Sequence, residues 1–136
     1  RFFESYPQSP VVPWTEDEKY QASRLSAIAT GICDKCIDWY MEHLRPEGSR
    51  DLELLAEIRG IFERVLAGLE KELGEGQEYL IGGRLTQADL DMGTALNYLN
   101  LRYNTMWRQT HLNISKYLDG LMQRPSFKAT TPPPAV

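Results

Sequence analysis

Apolar side chains recur along this chain every three or four residues, the period of one face of an α-helix. Leu25, Ile28, Ala29, Ile32, Cys36, Trp39, Tyr40 and Leu44 form one such stripe, while Arg24, Asp34, Lys35, Asp38 and Glu42 fall on other faces. Thr15 reads as its N-cap, Glu16, Asp17 and Glu18 suit the positive end of the helix dipole, and Pro46 and Gly48 end it. A second stripe over residues 51–73 holds Leu54, Leu55, Ile58, Ile61, Phe62, Val65, Leu66, Leu69 and Leu73, and closes on Gly74 and Gly76. Ile114, Tyr117, Leu118, Leu121 and Met122 make a shorter one that Pro125 stops. No stretch alternates with period two for long enough to be a strand. The pattern predicts an all-α bundle of four main helices.

The remaining helix is the central one, and its start is the most structured stretch of the sequence. Thr86 is a good N-cap, whose hydroxyl can accept from the backbone N–H three residues on. Asp89 stands at that position, and its carboxylate can reach back to the Thr86 N–H as a capping box. Leu85 before the cap and Leu90 after Asp89 have the spacing of a hydrophobic staple. Acids at 89 and 91 suit the helix dipole, and Gly82-Gly83 permits a sharp turn into the helix. Leu90, Ala95, Leu96 and Leu99 supply the packing of a helix with little charge through its middle, which fits a buried position.

The ends differ in texture. Pro7, Pro10 and Pro13 make residues 7–14 an extended linker, in which Val11, Val12 and Trp14 are apolar enough to pack on this domain or on another. Residues 130–136 carry three consecutive prolines and read as a disordered or extended tail. The chain opens on Arg1-Phe2-Phe3-Glu4-Ser5-Tyr6, which reads as the tail of a helix. The expectation is a piece of a longer protein.

Several of these residues carry a family likeness. Tyr79-Leu80-Ile81-Gly82-Gly83, followed by Leu85-Thr86-Gln87-Ala88-Asp89, resembles the signature that opens the central helix in the C-terminal domain of glutathione transferases. Arg124-Pro125-Ser126-Phe127-Lys128 resembles that family's usual C-terminal ending. The resemblance implies three parts: residues 1–14 as remnant and linker of a preceding thioredoxin-like domain, 15–128 as the helical domain, and 129–136 as a Pro-rich tail. It also implies that the parent transfers glutathione, as co-substrate, to an apolar electrophile, in a cytoplasmic homodimer with a detoxifying role. The catalytic residue would lie in the absent domain and none in this chain, which alone would be inactive. Tyr20, Ser23, Arg24 and Ala27, on the first half of the first helix, would face that domain and bind substrate, with Arg24 as contact for an anionic group. Thr86 and Asp89, flanked by Leu85 and Leu90, would be the structural cap.

Composition narrows the alternatives. A 136-residue chain with 42% hydrophobic and 25% charged residues fits one globular domain. Its net charge of -4 argues against nucleic acid or an anionic membrane as the main partner. No apolar run approaches the roughly 18 residues of a membrane span. Cys33-Asp34-Lys35-Cys36 has redox or metal spacing, but lies mid-helix without a helix N-terminus to activate it and without a second pair for zinc. It reads as two buried or half-buried free thiols suited to a reducing cytosol. His43 suits a helix C-terminus, and His111 has no evident partner. No metal spacing occurs. Gly31, Gly60, Gly68 and Gly93 lie inside helices, where close helix approach would explain them. The charged residues Glu57, Arg59, Glu63, Arg64, Glu70 and Lys71 read as a solvated face, and Tyr98, Tyr103 and Trp107 as core or as pocket lining. Two other readings compete with a transferase: a non-enzymatic docking module of the same fold, and an unrelated four-helix interaction domain.

Overall fold

The computed structural model describes residues 5–13 and 15–133. Among the described residues, five α-helices follow one another from residue 16 on: α1 (Glu16–Leu44), α2 (Leu52–Leu73), α3 (Gln87–Arg102), α4 (Leu112–Met122) and α5 (Pro125–Thr130). Short 3₁₀ turns occupy Glu47–Ser49 and Met106–Gln109, and no strand occurs among the described residues. The readings made on residues 1–4, on Trp14 and on residues 134–136 fall outside the described residues.

The helices begin where side chains replace missing backbone partners. At α1, Thr15 Oγ1 accepts from the Glu18 N–H at 3.1 Å and Glu18 Oε2 accepts from the Thr15 N–H at 3.2 Å. At α2, Asp51 Oδ1 accepts from the Leu54 N–H at 2.9 Å. Gly74, at φ +67°, ends α2 in a conformation that a side chain would resist. Pro125 has two effects: α4 stops before it, and its preset φ opens α5 at the first helical position.

The most extensive helix pairing is α1 against α3, with α4 packing on both α2 and α3. α3 is central: Ala88, Met92, Gly93, Ala95, Leu96 and Leu99 are all buried. Its small residues set how closely the neighbours approach. A Cβ built on Gly93 would stand 2.8 Å from Leu121 Cδ1 and 2.8 Å from Phe127 Cζ. Gly31 and Gly68 have no such neighbour, and Gly60 meets only the flexible end of Arg64, so close approach explains Gly93 alone.

Three further expectations change. Tyr40 and Leu44 continue the α1 stripe in sequence, but both are exposed, Leu44 by 61%. Arg102 of α3 reaches the Tyr40 ring, at 4.2 Å to its centroid, without burying it. Glu42, expected on a polar face, is buried. Its Oε1 accepts from the Asp51 N–H at 2.6 Å and from Arg45 at 2.8 Å, joining the end of α1 to the start of α2. Glu70 also leaves the solvated face. Its two oxygens accept from the Asn113 and Ile114 N–H groups, each at 2.9 Å, and so cap α4 from α2.

Gly93→Ala is expected to lower stability by about 1–3 kcal/mol through overpacking. Gly68→Ala, in open space, is expected to raise it by about 0.5–1 kcal/mol. Urea unfolding of the two variants checks the contrast.

Candidate functional site

The start of α3 is built around a carboxylate. Asp89 and Thr86 are both 0% exposed, and together they close a capping box. Asp89 Oδ2 accepts from the Thr86 N–H at 2.7 Å and from the Thr86 hydroxyl at 3.1 Å. Asp89 Oδ1 accepts from the Leu80 N–H at 2.9 Å and from the Tyr117 phenol at 3.0 Å. One side chain thus ties the loop before α3, the helix itself and α4. A buried carboxylate with four donors is compensated for its lost hydration. Burial, and then the Asp89 charge beside it, push the Tyr117 phenol far above its ordinary range, which keeps it a donor. Leu85 and Leu90 flank the cap half-buried and pack against the core.

The loop into α3 holds the linker. Gly82 and Gly83 take φ of +62° and +66°, and a Cβ on Gly82 would meet Glu18 Oε1 at 2.7 Å. Arg84 then donates to the Pro10 carbonyl at 3.1 Å, the Val12 carbonyl at 3.3 Å and Glu18 Oε2 at 3.2 Å. The Gln87 N–H donates to the Val11 carbonyl at 3.0 Å. The segment around residues 10–12 is therefore fastened to this domain by its backbone carbonyls. Arg84 carries no periodicity signal, and its role was invisible in the sequence.

Beside the fastened linker lies a cavity of about 430 Å³ between the first half of α1 and the start of α3. Pro13, Lys19, Ser23, Ser26, Gln87 and Asp91 are among its lining residues. Ser26 Oγ donates to Asp91 Oδ2 at 2.6 Å, and Gln87 Nε2 donates to Asp91 Oδ1 at 2.8 Å. Asp91 therefore joins α1 to α3 and presents a fixed polar group at the cavity. Of the four residues expected to face substrate, Ser23 lines this cavity. Tyr20 (70% exposed) and Ala27 are exposed on the neighbouring side of α1. Arg24 is half-buried and ion-paired with Glu72 of α2, which strengthens its charged form. Ser26, Gln87 and Asp91 carried no signal as a group, because their contact joins two helices 65 residues apart at Ser26 and Asp91.

The other candidate chemistry is quiet. Cys36 is buried and Cys33 half-buried, and both are free. Burial, then the neighbouring Cys33, pushes the Cys36 thiol from 9.0 up to about 12. Burial, then Asp34 and Asp91, raises Cys33 as well. Neither is an activated nucleophile. His43 Nδ1 lies 2.8 Å from the Trp39 carbonyl in the last turn of α1. His111, expected without a partner, has its Nδ1 3.0 Å from the Trp107 carbonyl and 2.9 Å from Thr110 Oγ1. Among the described residues no cluster of His, Cys, Asp or Glu suits a metal ion, and no helix is long and apolar enough to cross a membrane.

The arrangement has known counterparts. The profile described as "Glutathione S-transferase, C-terminal domain" matches residues 53–120. This chain belongs to the glutathione S-transferase C-terminal domain family. A glutathione S-transferase from Methylobacterium radiotolerans, solved in complex with glutathione sulfonate, superposes with a TM-score of 0.89 at 31% identity over 99% of this chain and 64% of its own. One from Methylobacillus flagellatus, with glutathione bound, gives 0.84 at 30% identity over 93% of this chain and 64% of its own. A family member from Pseudomonas fluorescens, with bound S-(propanoic acid)-glutathione, gives 0.80 at 30% identity over 92% of this chain and 63% of its own. The chain thus spans just under two thirds of the length of these solved transferases. No curated protein matches it.

Two measurements probe this transferase domain. Asp89→Asn replaces an acceptor oxygen with an NH₂ among donors and is expected to cost about 3 kcal/mol, against about 1–2 for Tyr117→Phe; chemical denaturation reads both. The second is alkaline. The folded state holds the Cys36 proton up to about 12, whereas the ordinary thiol loses it near 9.0. The stability this group contributes is whole below the lower value and falls as pH rises toward the higher, and the raised Tyr117 acts in the same direction. Stability should therefore drop between about pH 9 and about pH 12, and drop less in Cys36→Ala.

Proposed function

We propose that this chain is the electrophile-side domain of a glutathione transferase whose parent conjugates glutathione, as co-substrate, to an apolar electrophile. In this reading residues 1–14 are the remnant and linker of a thioredoxin-like domain that binds glutathione, 15–128 are the helical domain, and 129–136 are a Pro-rich tail. The observation that carries it is the cavity at the meeting of α1, α3 and the linker. It lies in a chain of this family whose solved relatives hold glutathione or its derivatives.

The chemistry divides accordingly. A thiolate needs a hydrogen-bond donor or positive dipole, which belongs to the preceding domain. An electrophile must then be held against that thiolate, which a helical wall does. The strip Tyr20, Ser23, Arg24 and Ala27 runs along the first half of α1, next to the linker-side cavity that Ser23 lines. Tyr20 would supply an aromatic surface to the electrophile. Arg24, held by Glu72, would face an anionic group with its remaining donors. Ile37, Met41 and Leu44, exposed along the second half of α1, give the parent an apolar strip of the kind that a homodimer contact covers. A cytoplasmic, detoxifying role follows from the same reading.

Calorimetric titration of the longer protein with glutathione tests it, with this chain alone as control. Saturable binding to the longer protein and none to this chain is the expected result, and this chain alone should give no glutathione-dependent rate with a standard aryl halide. Absence of binding to both would remove the transferase reading and favour a docking module of the same fold.

A further inference from the structure

A second cavity lies between α4 and the loop that joins α2 to α3. It measures about 330 Å³, at the small end of the roughly 300–1,000 Å³ of small-molecule sites, so a guest that fills it is compact. It shares no lining residue with the linker-side cavity. The two spaces are therefore distinct.

Its charges are unbalanced. Lys116 of α4 and Arg124, the residue before α5, bring two positive charges, and Glu78 of the loop brings one negative charge. Neither cation is ion-paired among the described residues. Arg124 is the better prepared of the two. Pro125 holds its backbone extended, at φ -67° and ψ 140°, so the side chain starts from a fixed base. The residue is half-buried, and its Nε is enclosed without a partner. That atom is out of a guest's reach. The terminal nitrogens are not enclosed in this way, and they form the fork that matches a carboxylate. A guanidinium that has lost part of its hydration without gaining an acid is stabilised by one that arrives. Lys116 and Glu78 are exposed and free to adjust. Between the charges, Leu121 and Tyr117 are buried and supply an apolar floor, since the Tyr117 hydroxyl is given to Asp89. Gln77 and Asn113 add amides to the wall.

We propose that this cavity binds a compact acidic amino acid of glutamate's size, with its two carboxylates on Arg124 and Lys116 and its ammonium toward Glu78. Two carboxylates and one ammonium are the complement of two cations and one acid, and the short aliphatic body lies on the apolar floor. The site is separate from the electrophile cavity and does not depend on the transferase reading. It discriminates by the number and sign of charges on a small guest.

Calorimetric titration of the intact chain with L-glutamate tests it, and one saturable site is expected. Glutamine, which lacks the second carboxylate, and glutarate, which lacks the ammonium, should each bind about tenfold more weakly. Lys116→Gln, at an exposed position, should weaken glutamate about tenfold with thermal unfolding unchanged. Arg124→Lys keeps the charge and removes the fork, so it should weaken glutamate as well. Glu78→Gln should erase the preference for glutamate over glutarate. Glutathione carries the same three charges on a longer tripeptide, with its carboxylates at opposite ends, and should not displace glutamate. Absence of saturable binding, equal binding of glutamate and glutarate, an unchanged affinity in Lys116→Gln, or displacement by glutathione would each overturn the proposal.

Discussion

The fold depends on one buried negative charge. A carboxylate taken out of water is costly unless several donors replace its hydration, and Asp89 has four within 3.1 Å. Two come from Thr86 and are local. The other two come from Leu80, in the preceding loop, and from Tyr117, on α4. Because all four must be present together, the loop, α3 and α4 assemble as a unit. Moving any one leaves a buried charge short of a partner, which is why a helix cap constrains the tertiary structure here.

The same logic recurs at smaller scale. Glu70 of α2 holds the backbone start of α4, and Glu42 at the end of α1 holds the backbone start of α2. Arg84 reverses the polarity: a cation gathers the carbonyls of the linker. A short helix such as α4, with 11 residues, gains little from its own propensity. Caps supplied by other helices fix where it starts and therefore which face it turns to the core. Through these contacts the linker-side cavity has a defined wall, since α1 and α3 are registered by Ser26 and Asp91 and the linker is fastened across their ends.

Local and periodic information was legible in the sequence; non-local pairing was not. The stripes of α1 and α2 and the start of α1 after Thr15 follow from local spacing, which needs no knowledge of the rest of the chain. The spacing also pairs Thr86 with Asp89, but not Asp89 with Tyr117, 28 residues on. Glu42 and Glu70 look like surface acids in a window of any length, because their partners are backbone groups of another helix. Tyr40 and Leu44 fail for the converse reason: periodicity marks a face, and only packing decides whether a neighbour reaches it. Of the residues at the linker-side cavity, Ser23 was reachable by topology, whereas Ser26, Gln87 and Asp91 form a group only once α1 and α3 are laid together.

The two ends of α3 show how a single buried helix can serve unlike environments. At its start the first peptide N–H groups lack partners within the helix and the dipole is positive, so acids and hydroxyls collect there, with Ser26, Gln87 and Asp91 at the adjoining cavity. At its end the chain turns through Tyr103, Met106 and Trp107, and the space beside it is lined by rings together with Arg59, Glu63, Gln109, Thr110 and His111. Arg102, in the last turn, lies over Tyr40 at 4.2 Å and Tyr98 at 5.5 Å, and so places its charge against aromatic faces at the negative end of the helix. The cleft proposed for the electrophile lies at the first end, where Ser26 and Gln87 hold Asp91 in place. The second end sets an acid, Glu63, and an imidazole, His111, among the rings, so it differs from the first in its aromatic groups and not in lacking polar ones.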